Sequence, residues 1–117
     1  MGILKLNTDA SFIQETGQAT TGGMVRDHKG VVICSMAENL PYCFDADEAE
    51  AMALLRCLTM CMEMNIHPAV VETDNDAVIK GVKAGRQDFS RLCSIYRKIN
   101  HIKENTFFFS QFCVKKD

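Results

Sequence analysis

Leu4-Lys5-Leu6-Asn7-Thr8-Asp9-Ala10-Ser11 is the stretch that decides how this 117-residue chain reads. A strand alternates its side chains, so Lys5, Asn7 and Asp9 fall on one face and Leu4, Leu6 and Thr8 on the other. The strand therefore ends on a carboxylate, which is costly to bury beside a core unless it is paired or bound to a cation. Two further acids, Glu50 and Asp74, also stand at the edges of apolar elements. Their convergence with Asp9 would make a site.

Downstream of Asp9 a turn-rich stretch leads through Gly17 to a second strand, Ala19 to Arg26, in which Gly22-Gly23 suggests a bulge or a close backbone approach. Asp27-His28-Lys29-Gly30 is a turn, and Val31 to Met36 a third strand, giving a three-strand antiparallel meander. Asn39 to Phe44 reads as a loop and Asp45 to Met64 as a long helix. At helical spacing, Ala53, Leu54, Cys57, Leu58, Cys61 and Met64 lie within about 80° of Glu50. Glu48, Met52, Thr59 and Glu63 lie on the far side. Glu50 thus heads the buried stripe and Glu48 is expected in solvent. A plainer role for Glu50 is a capping box, because Asp47 precedes it by three residues, and the two roles are compatible.

Asn65-Ile66-His67-Pro68 breaks the helix, and Ala69 to Asp74 is a strand, parallel to the first if the connection is a crossover. Asp74 ends it and, taken alone, is best read as the cap of a short helix from Asn75 to Ala84. A calcium loop starting at Asp74 fails, because Ile79 stands where glycine is needed. Gly85 to Asp88 is a linker, and Ser90 caps a helix carrying Leu92, Ile95, Tyr96, Ile99 and Ile102. Thr106 to Val114, with Phe107-Phe108-Phe109 and Phe112, is a last strand whose aromatics belong to the core rather than to base stacking. The order βββ-α-β-α-α-β makes a single α/β domain with a five-stranded mixed sheet flanked by helices.

The bulk composition, 47% hydrophobic and 24% charged, is that of a globular domain and excludes a disordered chain. No apolar run is long enough to span a bilayer, and the N-terminus lacks a signal-peptide pattern. The six cysteines include no CxxC pair, so buried reduced thiols are expected rather than zinc ligands or disulfides. The expected setting is intracellular, cytoplasmic or nuclear. Charge is segregated along the chain. Residues 45–76 hold eight acids against Arg56, whereas residues 80–103 hold Lys80, Lys83, Arg86, Arg91, Arg97, Lys98 and Lys103 against Asp88. An acidic cation site beside a basic surface suits a metal-dependent enzyme acting on a polyanion, although two ordinary solvated faces would look the same.

Four motifs in order, Lys5-Leu6-Asn7-Thr8-Asp9-Ala10-Ser11, Gly22-Gly23-Met24-Val25-Arg26-Asp27, Glu48-Ala49-Glu50-Ala51-Met52-Ala53-Leu54 and Val71-Glu72-Thr73-Asp74, resemble the ribonuclease H superfamily. The likeness is to the type 1 RNase H-like domains of plant proteins and retroelements, and it covers nearly the whole chain. It implies an RNase H-like fold and Asp9, Glu50 and Asp74 as catalytic and metal-binding residues. It also implies endonucleolytic hydrolysis of the RNA strand of RNA–DNA hybrids, with Mg²⁺ as cofactor and Mn²⁺ as a substitute. Carboxylates about 4 Å apart repel by roughly 4 kcal/mol per pair at an effective dielectric near 20. Bound Mg²⁺ removes that cost, and a two-metal arrangement can cleave a phosphodiester in line. Ser11, Lys80, Lys83, Arg86 and Arg91 are the expected nucleic-acid contacts, to an RNA–DNA hybrid or structured RNA.

Three features depart from the family pattern. The chain stops at Asp117, before the loop and last helix that normally supply a fourth acid, so it is expected to be truncated there. Asp45-Ala46-Asp47-Glu48 places acids where amide and hydroxyl residues usually meet nucleic acid, and Ala10 replaces a frequent glycine. Two alternatives therefore stay open: a weakly active or inactive nucleic-acid-binding module, and a protein-interaction scaffold. The sheet surface left without its last helix is expected to be partly apolar and to favour a homodimer.

Overall fold

Leu6 and Thr8 are buried while Lys5 and Asp9 are exposed, so the alternation expected of the first strand is present in β1 (Lys5–Phe12). The computed structural model describes residues 3–84, 90–106 and 111–114, with side chains described as far as Glu104. β1 pairs antiparallel with β2 (Ala19–Arg26), and β2 with β3 (Val32–Leu40). The helix α1 (Ala46–Glu63) crosses over to β4 (Val70–Thr73), which pairs parallel to β1. Then follow α2 (Asp76–Ala84), α3 (Arg91–Thr106) and β5 (Gln111–Val114), parallel to β4. The sheet order is β3-β2-β1-β4-β5.

Several boundaries differ from those expected of the sequence. β3 runs on to Leu40, because Asn39 and Leu40 pair with Thr20 and Ala19 and continue the ladder into the expected loop. Thr106 belongs to α3 rather than to the last strand. The glycine pair carries no bulge; the register shift falls at Val25/Arg26. The expected linker, Gly85 to Asp88, and Phe107-Phe108-Phe109 lie outside the described residues.

Gly23 instead supplies a close approach. A Cβ there would stand 2.5 Å from Cys57 Sγ, so α1 lies nearly on the backbone of β2. Leu54, Cys57, Leu58 and Cys61 of α1 are buried against Leu6, Val25 and Val71 of the sheet, and Ile95, Tyr96 and Ile99 of α3 complete the core. The helix ends where Asn65 takes a left-handed φ of 57° and the N–H of Ile66 closes back onto Cys61 at 2.8 Å. The opposite face of the sheet carries Asn7, Asp9, Gly22, Met24, Ser35 and Ala37 around a groove of about 610 Å³. The surface is partly apolar, as expected, with Met24 and Ala37 beside the polar Asn7 and Ser35.

Gly23→Ala is expected to destabilise the fold by about 1–3 kcal/mol through overpacking against Cys57. Combining it with Cys57→Ala should cost less than the sum of the single changes, because the sulfur that the new methyl meets is gone. Urea unfolding of the four proteins measures both effects.

Candidate metal centre

Asp9 lies in β1, Asp74 one residue past the end of β4, and Glu50 in the second turn of α1. β1 and β4 run in parallel register as far as Thr8 opposite Thr73, so the next residue on each strand is a carboxylate. One carboxylate oxygen from each of Asp9, Glu50 and Asp74 lies within 4.8 Å of the others. The structure therefore brings the three predicted acids together. Asp9 and Asp74 are exposed and Glu50 is half-buried. β1 does not end on Asp9 as expected but runs on to Phe12, because Ala10, Ser11 and Phe12 still pair with β2; Asp9 stands where the pairing with β4 stops, and the backbone N–H of Ala10 donates to its Oδ1 at 2.8 Å.

Partial burial, with Asp74 and Asp9 facing it, pushes the Glu50 carboxyl up to about 7. Its Oε2 is buried without a hydrogen-bond partner. An orphaned acceptor amid like charges is what a hard cation would satisfy. The donor set fits such an ion: three carboxylates, no thiolate and no imidazole. Asp9, Glu50 and Asp74 would hold it.

The surrounding acids turn out to have structural partners. Glu48 does not face solvent; its side chain is 6% exposed, with Oε2 accepting from the N–H of Phe44 at 2.7 Å and Oε1 paired to Arg91 at 2.8 Å. The helical wheel placed it away from the sheet correctly but took no account of α3 and the preceding loop, which cover that side. The cap of α1 is Asp45, which accepts from the N–H of Glu48 at 2.8 Å while Glu48 reaches back to the N–H of Phe44, so the capping role belongs to Asp45 and Glu48 rather than to Asp47 and Glu50. Asp47 instead accepts from Asn75 Nδ2 at 3.3 Å.

Nor does Asp74 cap α2. Asn75 does, its Oδ1 accepting from the N–H of Val78 at 3.0 Å, and Asp74 is left to the carboxylate cluster. Asn75 thus ties the first turn of α1 to the start of α2, on either side of the cluster. The sequence reading passed over it, although an asparagine three residues before Val78 was the available signal.

The expected nucleic-acid contacts are dispersed. Ser11 is exposed one strand-pair beyond Asp9, opposite Thr20. Lys80 is exposed and paired with Asp76 at 2.8 Å, and Lys83 is exposed in the last turn of α2. Arg91 is committed to Glu48 and lies 5.8 Å over the Tyr42 ring. Arg86 lies outside the described residues. Arg26, part of the second motif but not among the expected contacts, lines the groove beside Asp9 and Asp74.

Two outcomes follow for the metal-free protein. A carboxyl whose folded pKa is raised contributes stability fully present below its unfolded value near 4.5 and lost as pH rises through about 7. Glu50→Gln should therefore stabilise the metal-free fold at pH 8, by on the order of 1–2 kcal/mol at this half-open site, and leave it almost unchanged at pH 4. Thermal unfolding at the two pH values measures this. Arg91→Ala should cost about 1–3 kcal/mol, because it strands a buried carboxylate. Glu48→Gln combined with Arg91→Ala should recover part of that loss, as read by urea unfolding.

Residues 7–113 match the family model described as reverse transcriptase-like. Among solved structures the chain is similar to RNase H1 of the archaeon Halobacterium salinarum, at 16% identity over 97% of this chain and 84% of that one, with a TM-score of 0.74. It is also similar to LC11-RNase H1 in complex with an RNA/DNA hybrid, at 18% identity over 96% and 83% of the two chains, with a TM-score of 0.79. The foamy viral protease-reverse transcriptase in complex with dsDNA matches at 15% identity over 98% and 82%, with a TM-score of 0.77. No curated protein sequence matches significantly. At these identities the structural likeness establishes an RNase H-like fold, and the family match establishes descent: the chain belongs to the reverse transcriptase-like family of RNase H-like domains.

Proposed function

We propose that this domain hydrolyses the RNA strand of RNA–DNA hybrids with a divalent cation, Mg²⁺ or in its place Mn²⁺, held by Asp9, Glu50 and Asp74. The observation that carries the proposal is the convergence of three carboxylates from three separate elements, one with a buried oxygen lacking any partner. Further support comes from LC11-RNase H1, a structural relative determined with an RNA/DNA hybrid. When bound, the cation supplies charge neutralisation and activation of the attacking water at the phosphodiester.

The chain's own residues set the geometry. Asp9 and Asp74 offer exposed oxygens on neighbouring strands, just past the last residues paired between β1 and β4, and Glu50 closes the cluster from the helix side. The Ala10 N–H fixes Asp9, while the Asp47–Asn75 bond and the Glu48–Arg91 pair hold the first turn of α1 in place. Nucleic-acid contact is assigned to Ser11, Lys80, Lys83 and Arg86. The exposed Lys80–Asp76 pair is worth little in water and can be given up to a phosphate. Selectivity for a hybrid would rest on duplex shape and the 2′-hydroxyl, without base readout.

Five cysteines among the described residues are free, four of them buried, which supports an intracellular setting, cytoplasmic or nuclear. A homodimer through the open sheet face is also part of the proposal, supported by half-buried Met24 and exposed Ala37 there.

A labelled RNA–DNA hybrid incubated with the protein and a few millimolar Mg²⁺ tests the activity. Cleavage of the RNA strand is expected, falling by about 10³-fold or more in Asp9→Asn while hybrid binding persists. Undiminished cleavage by Asp9→Asn would overturn the site. Binding without cleavage by the unmodified protein would make the chain a binding module instead.

A further inference from the structure

Arg26 closes β2 and lines the groove of about 610 Å³ on the open face of the sheet, which it shares with Asp9 and Asp74. It is half-buried, and it is the only base along that groove. Its register partner on β1 is Lys5, four residues before Asp9, so it stands about 13 Å along the strands from the carboxylates. Between the two ends lie Asn7 and Met24, with Ser35 and Ala37 on the next strand.

The acids nearest to Arg26, Asp27 and Glu72, are engaged with other groups. Asp27 Oδ1 accepts from the N–H groups of Lys29 and Val31, at 2.8 and 2.9 Å. Glu72 Oε1 pairs with Lys5 at 3.2 Å and accepts from Asn7 Nδ2 at 3.2 Å. Among the described residues, the Arg26 side chain has no hydrogen bond and no ion pair. A half-buried guanidinium with five donors and no acceptor is the counterpart, at the other end of the groove, of the orphaned Glu50 oxygen. One end of the groove suits a cation and the other an anion.

We propose that Arg26 binds a non-scissile phosphate of the cleaved strand and so sets that strand's register on Asp9, Glu50 and Asp74. The inference rests on the hydrolytic reading above. It adds a positioning residue and a direction, with the strand running over the sheet from Asp9 toward Lys5. The span from Asp9 exceeds a single phosphodiester link, so the phosphate at Arg26 is not the one at the cation. A guanidinium fork matches two phosphate oxygens, where a lysine would offer only a point charge. Such a contact carries no base information, so it fixes position without imposing a sequence.

Fluorescence anisotropy of a labelled RNA–DNA hybrid tests this, without divalent cation so that nothing is cleaved, over a series of salt concentrations. Arg26→Gln should weaken binding about tenfold at low salt and lower the slope of log K against log salt by about 1. Arg26→Lys should keep the slope and regain part of the affinity, because the charge stays and the fork is lost. Loss of affinity with an unchanged slope in Arg26→Gln would overturn the proposal, since a damaged fold does not remove one phosphate contact. A second copy on the open face excludes the hybrid from it. Altered sedimentation of Arg26→Gln with unaltered hybrid binding would therefore also overturn the proposal, by giving Arg26 to that second copy. The two readings separate cleanly. Cleavage by the unmodified protein with an unaltered slope in Arg26→Gln would remove the contact and leave the hydrolysis. A lowered slope without cleavage would keep the contact and remove the hydrolysis.

Discussion

Mutual repulsion of three carboxylates is the constraint around which the rest of the structure is arranged. With oxygens within 4.8 Å, each pair costs roughly 3 kcal/mol at an effective dielectric near 20 when both members are ionised. Glu50 responds with a carboxyl pushed up to about 7. Such a cluster would spread apart if its members sat on flexible loops. Here parallel pairing of β1 with β4 fixes Asp9 beside Asp74, and the close seat of Cys57 on Gly23 fixes the helix that carries Glu50.

The neighbouring acids show how the same charge does different work in different surroundings. Asp45, Asp47 and Glu48 look in sequence like an excess of negative charge at the approach to the site. In the fold, Asp45 caps α1, Asp47 accepts from Asn75, and Glu48 is buried against Arg91 and the Phe44 N–H. Each is satisfied by a donor within the chain. What distinguishes Glu50 is the lack of such a donor for its Oε2. This carboxylate oxygen, buried and unsatisfied among like charges, marks a place where a cation would be accepted, because the other acids in this turn have donors within the chain.

Much of this was legible in the sequence. Period-2 alternation gave the faces of β1, and helical phase placed Glu50 toward the sheet, because both patterns follow from backbone geometry alone. The element order and the parallel return of β4 followed from the long helix between the strands. Two of the misreadings share one cause: the position of Glu48 and the extent of β3 are each decided by a partner far away in sequence, Arg91 and the far end of β2. The cap of α2 is local, Asn75 to the N–H of Val78, and was open to a reading of the sequence. A one-dimensional pattern carries the period of an element but not the identity of what packs against its second side. For the same reason the basic segment could be recognised as basic, but not divided into bases that brace the fold, such as Arg91, and bases left at the surface, such as Lys83.

The claim that Asp9, Glu50 and Asp74 form one cation site is tested most directly by titrating the metal-free protein with Mn²⁺ and counting free ion by electron paramagnetic resonance. The unmodified protein should bind Mn²⁺ saturably. Each of Asp9→Asn, Glu50→Gln and Asp74→Asn should weaken that binding by about tenfold or more, since each removes one ligand from the same ion. Unchanged binding in any one of the three variants would contradict a shared site.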